Sequence, residues 1–255
     1  IYTDCPEMED NLPQVTVRAL RRGRGHTVLL DARPSEKFLA GHIPGARSMP
    51  MYGTQPNAPH GIAWLKEKRG RFVVVYGKDE MQSALHLASY LKQNGIRGVH
   101  LLKGDLQAWT AGGHRLDSRS IPSITAAEAL TTQGLVFVDA RSKASFVEGR
   151  IPGARSLPFN GLMPPDKEAF AHLLVEKRPI VIYGIETEDP ELADPDAPSK
   201  PRDVGRVLAA ELLALGAKNL RWLPGGLEAW TAAGGKIETE KKSAGTEKAG
   251  EEARP

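Results

Sequence analysis

Cysteine is all but missing: Cys5 is the only one in 255 residues. No intramolecular disulfide can form, and no thiol exists anywhere after position 5. Long apolar runs are missing too, and none approaches the ~18 residues of a membrane-spanning helix. There is no strong excess of one charge, since 34 basic side chains stand against 31 acidic ones for a net charge of +3. That balance argues against nucleic acid or an anionic membrane surface as partner. The seven histidines show no His-x-x-x-His or comparable ligand spacing, so no metal site is expected. No phosphate-binding glycine loop occurs, and no cofactor is expected.

What the chain does contain is one stretch written twice. Residues 28–50 read VLLDARPSEKFLAGHIPGARSMP and residues 136–158 read VFVDARSKASFVEGRIPGARSLP. Aligned without gaps at an offset of 108, thirteen of the twenty-three positions are identical. The chain therefore holds two copies of one unit.

Each copy opens on a short apolar run without alternation, Val28-Leu29-Leu30 or Val136-Phe137-Val138. Such a run suits a strand buried on both faces. An Asp-Ala-Arg follows, placing Asp31 and Arg33, or Asp139 and Arg141, at the strand end. These charges are expected to tie the strand to the next loop. Loss of Asp139 would then orphan buried donors at a cost of ~1–3 kcal/mol. A short helical segment carries Phe38 or Phe146, with Gly41 or Gly149 expected as its C-cap. Ile43-Pro44-Gly45-Ala46 and Ile151-Pro152-Gly153-Ala154 read as a turn, proline setting φ and glycine permitting φ > 0. His42 lies beside this turn and is expected to be structural; Arg150 replaces it in the second copy. A second short strand is expected from Arg47 and Arg155.

Asp-x-Arg, an aromatic, then Gly-His-Ile-Pro-Gly-Ala resembles the first motif of the rhodanese domain. Leu101-Leu102-Lys103-Gly104-Asp105-Leu106-Gln107-Ala108-Trp109 and Trp222-Leu223-Pro224-Gly225-Gly226-Leu227-Glu228-Ala229-Trp230 resemble the family's closing motif. The resemblance implies an α/β chain of two tandem rhodanese-like domains, each a central parallel sheet flanked by helices. The division expected is an N-terminal segment 1–13, domain one at 14–114, domain two at 122–234 and a polar tail at 235–255.

Between the motifs the two copies share a plan. Domain one is expected to begin with a helix over 15–22, and the Thr125-to-Glu128 capping box opens the corresponding helix of domain two. Residues 51–61, with Gly53, Pro56, Asn57, Pro59 and Gly61, read as loop. Phe72–Tyr76 and Ile180–Tyr183 read as buried strands, 83–93 and 204–215 as helices with a buried face, and 99–102 and 220–223 as closing strands. The closing motif recurs at an offset of 121 rather than 108, so domain two carries thirteen extra residues.

The resemblance makes the loop after Tyr76 decisive. In active rhodaneses a cysteine follows that strand, in a loop commonly reading Cys-x-x-Gly-x-Arg-Ser, and carries the sulfur. Here the register reads Gly77-Lys78-Asp79-Glu80-Met81-Gln82-Ser83. Gly77 replaces the nucleophile, Glu80 the glycine and Gln82 the arginine. In domain two Gly184 takes the cysteine position after Tyr183. Without a thiol there is no nucleophile for sulfur transfer. The expectation is a rhodanese-family pseudoenzyme with no catalytic residues, acting as a binding, structural or accessory module. The alternatives are an enzyme of the family, or a regulatory module binding an anion or sulfur compound in the same pocket.

The thirteen extra residues fall in 185–201, an insertion with six acidic side chains over 186–196 and four prolines over 190–201. This composition excludes a helix interior or central strand. The insertion and the tail, with five basic and five acidic side chains over 236–255, are expected to meet a protein partner, a basic one where the insertion makes the contact. The tail has no apolar period and is expected to be disordered on its own. The chain begins at Ile1 rather than Met. If that end is a processed one, the compartment is periplasmic or extracellular; otherwise the cytoplasm stays open. Cys5 is expected to be an ordinary thiol in a terminal segment.

Overall fold

The apolar runs become strands because each can bury both faces at once. The computed structural model describes residues 12–52, 55–56, 62–67, 72–77, 82–159, 167–184 and 203–239, and domain one is built from strands and α-helices. They are β1 (Gln14–Val15), α1 (Val17–Gly23), β2 (Thr27–Asp31), α2 (Ser35–Ala40), β3 (Arg47–Ser48), β4 (Met51–Tyr52), β5 (Gln55–Pro56), α3 (Ala63–Glu67), β6 (Phe72–Tyr76), α4 (Ser83–Gln93), β7 (Val99–Leu102) and α5 (Asp105–Ala111). Domain two follows with α6 (Ala126–Thr131), β8 (Val136–Asp139), α7 (Lys143–Glu148), β9 (Arg155–Ser156), α8 (Lys167–Val175), β10 (Ile180–Tyr183), α9 (Val204–Ala214), β11 (Leu220–Trp222) and α10 (Gly226–Ala232).

Each domain is built on a parallel sheet, ordered β1-β7-β6-β2-β3 in the first and β11-β10-β8-β9 in the second. Alternation along β6 sends Val73 and Val75 to one face, against Ala84, Leu87 and Leu91 of α4. Val74 and Tyr76 go to the other face, against Leu20 of α1 and Trp109 of α5. Domain two repeats the two layers, with α8 and α9 on one face and α6 and α10 on the other. The expected capping box is present: the Glu128 amide donates to Thr125 Oγ1, and Glu128 Oε2 accepts from the Thr125 amide at 2.9 Å.

Three local expectations need correction, and one gains a detail. The first helix starts at Val17, because residues 14–15 are used by β1. Part of 51–61 is not loop: Met51–Tyr52 pairs antiparallel with Gln55–Pro56. Gly41 and Gly149 are the C-caps of their helices, as expected, in extended backbone with φ of 174° and 177°. Gly41 leaves room for Leu116, whose Cδ1 would lie 3.1 Å from an added Cβ. Finally, residues 236–239 are ordered. Trp230 Nε1 donates to the Lys236 carbonyl at 2.8 Å, and Arg150 and Glu238 exchange backbone hydrogen bonds. Domain one does the same with Trp109, Arg115, His42 and Asp117. A strap after each closing tryptophan is thus a third shared feature, carried by Leu116-Asp117 and Ile237-Glu238.

The domains are joined through α2 and α9. Phe38 and Leu39 of α2 are buried in the core of domain two rather than their own. Arg206 of α9 pairs with Glu36 of α2 at 2.7 Å, and the Arg119 amide donates to the Leu39 carbonyl. Nearly every residue of α9 is buried as a result. The corresponding α7 of domain two has no buried residue.

Candidate functional site

The strand ends are built first. Asp31 accepts from the Arg33 amide and Nε, both at 3.0 Å, and from Arg33 Nη2 at 2.6 Å. Asp139 receives Arg141 in the same way, and Arg141 Nη2 reaches on to the Gly149 carbonyl as Arg33 does to Gly41. Both aspartates are fully buried. Each guanidinium lies over the ring of a buried tyrosine, Tyr76 or Tyr183. Those phenols accept from the amides of Ile43 and Ile151, closing the Ile-Pro-Gly turn onto the central strand. Burial, then the neighbouring carboxylate, drives both phenols well above their ordinary range. Burial works against both guanidinium charges, but the hydrogen bonds and charges of Asp31 and Asp139 outweigh it and raise them. Gly45 and Gly153, at φ of 78° and 73°, occupy the left-handed turn positions that the sequence assigns to them.

His42 and Arg150 sit where the strap crosses the turn. His42 stacks on Phe38 at 3.8 Å and contacts the Phe38 carbonyl through Nδ1. Arg150 lies over Phe146 at 4.7 Å and pairs with Glu238 at 2.7 Å. The two residue types fill one structural position in different ways.

Gly77 and Gly184 lie at the carboxyl ends of β6 and β10, the ligand-facing edge of a parallel sheet. Gly77 is buried at φ 114°, and a Cβ there would lie 2.8 Å from Arg33 Cγ and 3.0 Å from the Arg33 nitrogen. Its amide donates to Asp105 Oδ2 at 2.9 Å. Gln82 adopts a left-handed conformation at the start of α4 without a side-chain cap, and Ser83 is buried behind it. Lys78, Asp79, Glu80 and Met81 lie outside the described residues, as do Cys5, the 185–201 insertion and the tail beyond 239.

Domain two is closed more tightly. A Cβ at Gly184 would meet the Gly205 nitrogen at 2.3 Å, and one at Gly226 would meet the Gly184 carbonyl oxygen at 1.7 Å. Strand end, α9 start and α10 start therefore touch backbone to backbone. A helix start of this kind offers free N–H groups to an anion. Here Asp203 takes them: its Oδ1 accepts from the Gly205 and Arg206 amides at 2.8 and 3.4 Å, and its Oδ2 from Trp222 Nε1 at 2.9 Å. Each domain thus places one of its own carboxylates at the strand end, Asp105 from the closing motif in one and Asp203 from the helix cap in the other. Asp105 stands inside the quoted closing motif, where the other copy has Gly226; that Gly-to-Asp exchange was the signal in the sequence. Asp203, after the insertion, had none. Among the described residues no cluster of His, Cys, Asp or Glu is arranged to hold a metal ion, and no helix is long and apolar enough to cross a membrane.

Several solved structures are similar to the chain. The thiosulfate sulfurtransferase from Pseudomonas aeruginosa is 20% identical with a TM-score of 0.38, the match covering 90% of this chain and 44% of that one. Wild-type EanB is 19% identical with a TM-score of 0.41, over 90% of this chain and 62% of that one. SseA from Escherichia coli, described as a 3-mercaptopyruvate sulfotransferase of the rhodanese fold, is 19% identical with a TM-score of 0.35, over 86% of this chain and 100% of that one. The chain thus spans less than two thirds of the first two. No curated protein matches it. The rhodanese-like domain model matches twice, over residues 16–112 and 124–233, and the chain belongs to the rhodanese-like family as two tandem domains.

Proposed function

We propose that the chain is a catalytically silent member of its family that works as a binding, structural or accessory module. One observation carries this reading: in domain two the place of the nucleophile is occupied by backbone. Gly184, Gly205 and Gly226 pack so closely that even a methyl group at Gly184 would collide with main-chain atoms. A persulfide, larger and charged, has no room there. Domain one supports the same reading, because Asp105 accepts the Gly77 amide that would otherwise face a substrate anion. A carboxylate there repels a second anion. The family's sulfur chemistry needs a thiolate, and neither strand end carries a cysteine.

The partner surface proposed for this module includes the acidic insertion 185–201. Six carboxylates in so short a stretch favour a basic protein surface and speed encounter in a salt-sensitive way.

The test is thiosulfate:cyanide sulfur transfer by the purified protein and by its Cys5→Ser variant. The expected rate equals that of a protein-free blank for both. Turnover that persists in Cys5→Ser refutes the proposal, because no other thiol exists in the chain.

A further inference from the structure

We propose that an open groove at the amino end of β7 is a docking site for an acidic peptide segment of a partner protein. The groove encloses about 460 Å³ between the end of α4, the Gly95–Gly98 turn and the first residues of β7. Val73 pairs with Val99, so the groove lies at the amino edge of the sheet. Gly77 lies at the opposite edge, a strand length or ~16 Å away at ~3.3 Å per residue. The site is therefore separate from the family pocket and does not depend on whether that pocket is silent.

Its charge has one sign among the described residues. Lys92, Arg97 and His100 line it, and none of the described acidic side chains does. The Arg97 guanidinium makes no hydrogen bond or ion pair among the described residues. His100 is oriented by the contact of its Nδ1 with the Gly98 carbonyl at 2.9 Å and by the edge of Phe72 at 5.5 Å. Phe72 is 55% exposed, the largest apolar side chain so displayed among the described residues of domain one. A guanidinium without a partner among the described residues, beside an imidazole and an exposed aromatic ring, suits carboxylates alternating with apolar side chains. Arginine and aromatic residues are also the types enriched where proteins bind proteins. An enclosed, mainly apolar cavity would suit a small molecule better; this one is open along its length.

Domain two differs at this turn. Asn219 occupies the position of Gly98 there, at φ 54° against 68°, and its side-chain amide reaches the Lys177 carbonyl at 3.5 Å.

The experiment titrates the isotope-labelled 255-residue chain with a blocked Glu-Glu-Leu-Glu-Glu-Leu peptide at low salt. Inorganic phosphate and a Lys-Lys-Leu-Lys-Lys-Leu peptide serve as controls. Saturable amide shifts are expected at Gly95, Ile96, Gly98 and His100 with the acidic peptide alone. Arg97→Glu is expected to weaken binding at least tenfold. Gly98→Asn, which borrows the residue and backbone conformation of domain two, is expected to do the same, with both variants retaining the wild-type spectrum elsewhere. Shifts confined to other surfaces, or binding unchanged in Arg97→Glu, would overturn the proposal. So would phosphate shifting the same amides while the peptide does not, since that describes a small-anion site.

Discussion

Removing the Asp139 carboxylate should be far more damaging than the loss of one polar contact. Asp139 is 0% exposed and Arg141 only 6%, so Asp139→Ala strands a guanidinium in the interior. Four hydrogen bonds from Arg141 end on this one carboxylate. Breaking a buried pair by deleting one partner costs about 3–5 kcal/mol, above the ~1–3 kcal/mol of orphaned neutral donors. At about 2–4 °C per kcal/mol for a chain of this size, the melting temperature should fall on the order of 10 °C. Calorimetry of Asp139→Ala, Arg141→Met and Asp139→Leu/Arg141→Met measures this. The double variant removes both charges and should recover much of the loss, because an apolar replacement of a buried pair is often neutral. An unchanged melting temperature in Asp139→Ala, or a double variant as unstable as the sum of the singles, would refute the stranded-charge reasoning.

Gly184→Ala should cost about 1–3 kcal/mol or more by overpacking, since its new methyl meets the Gly205 nitrogen; chemical denaturation with an unchanged midpoint would mean the three backbones are not in contact. The strap of domain two should loosen in acid. The hydrogen bond from Arg150, then that from the Gly153 amide, holds the Glu238 carboxyl below its usual range. A depressed folded value gives stability that is present above the unfolded value of about 4.3 and lost as pH falls below it. Amide exchange at Glu238 should therefore accelerate below pH 4 relative to the core, and Glu238→Gln should abolish that pH dependence. Replacing residues 186–200 with a short Gly-Ser link should leave the melting temperature nearly unchanged and weaken capture of a basic partner at low salt; equal recovery by both proteins would reduce the insertion to a passive loop.

Much of the fold was legible because its signals are local. Val28-Leu29-Leu30 and Val136-Phe137-Val138 carry their burial in their own composition, and Gly45 and Gly153 announce a left-handed turn by having no side chain. The Asp-x-Arg pairs could be read as strand-end ties because a charge beside a doubly buried strand has few other ways to be satisfied. The strap was missed because Leu116-Asp117 and Ile237-Glu238 make one backbone pair each, too short for any periodicity to reveal.

By itself the sequence determined that two rhodanese-like units follow one another and that neither offers a thiol at its strand end. Those are matters of residue identity, which no packing can alter. Only the tertiary structure decided what took the thiol's place. Asp105 and Asp203 reach the vacated positions from segments 28 and 19 residues away from Gly77 and Gly184 respectively, the second through its cap on α9. It also decided that Phe38 and Leu39 leave their own domain for the core of the other, while their counterparts Phe146 and Val147 do not. The aromatic-aliphatic pair that α2 and α7 share cannot distinguish these outcomes, because burial there depends on which neighbour the chain's path brings alongside.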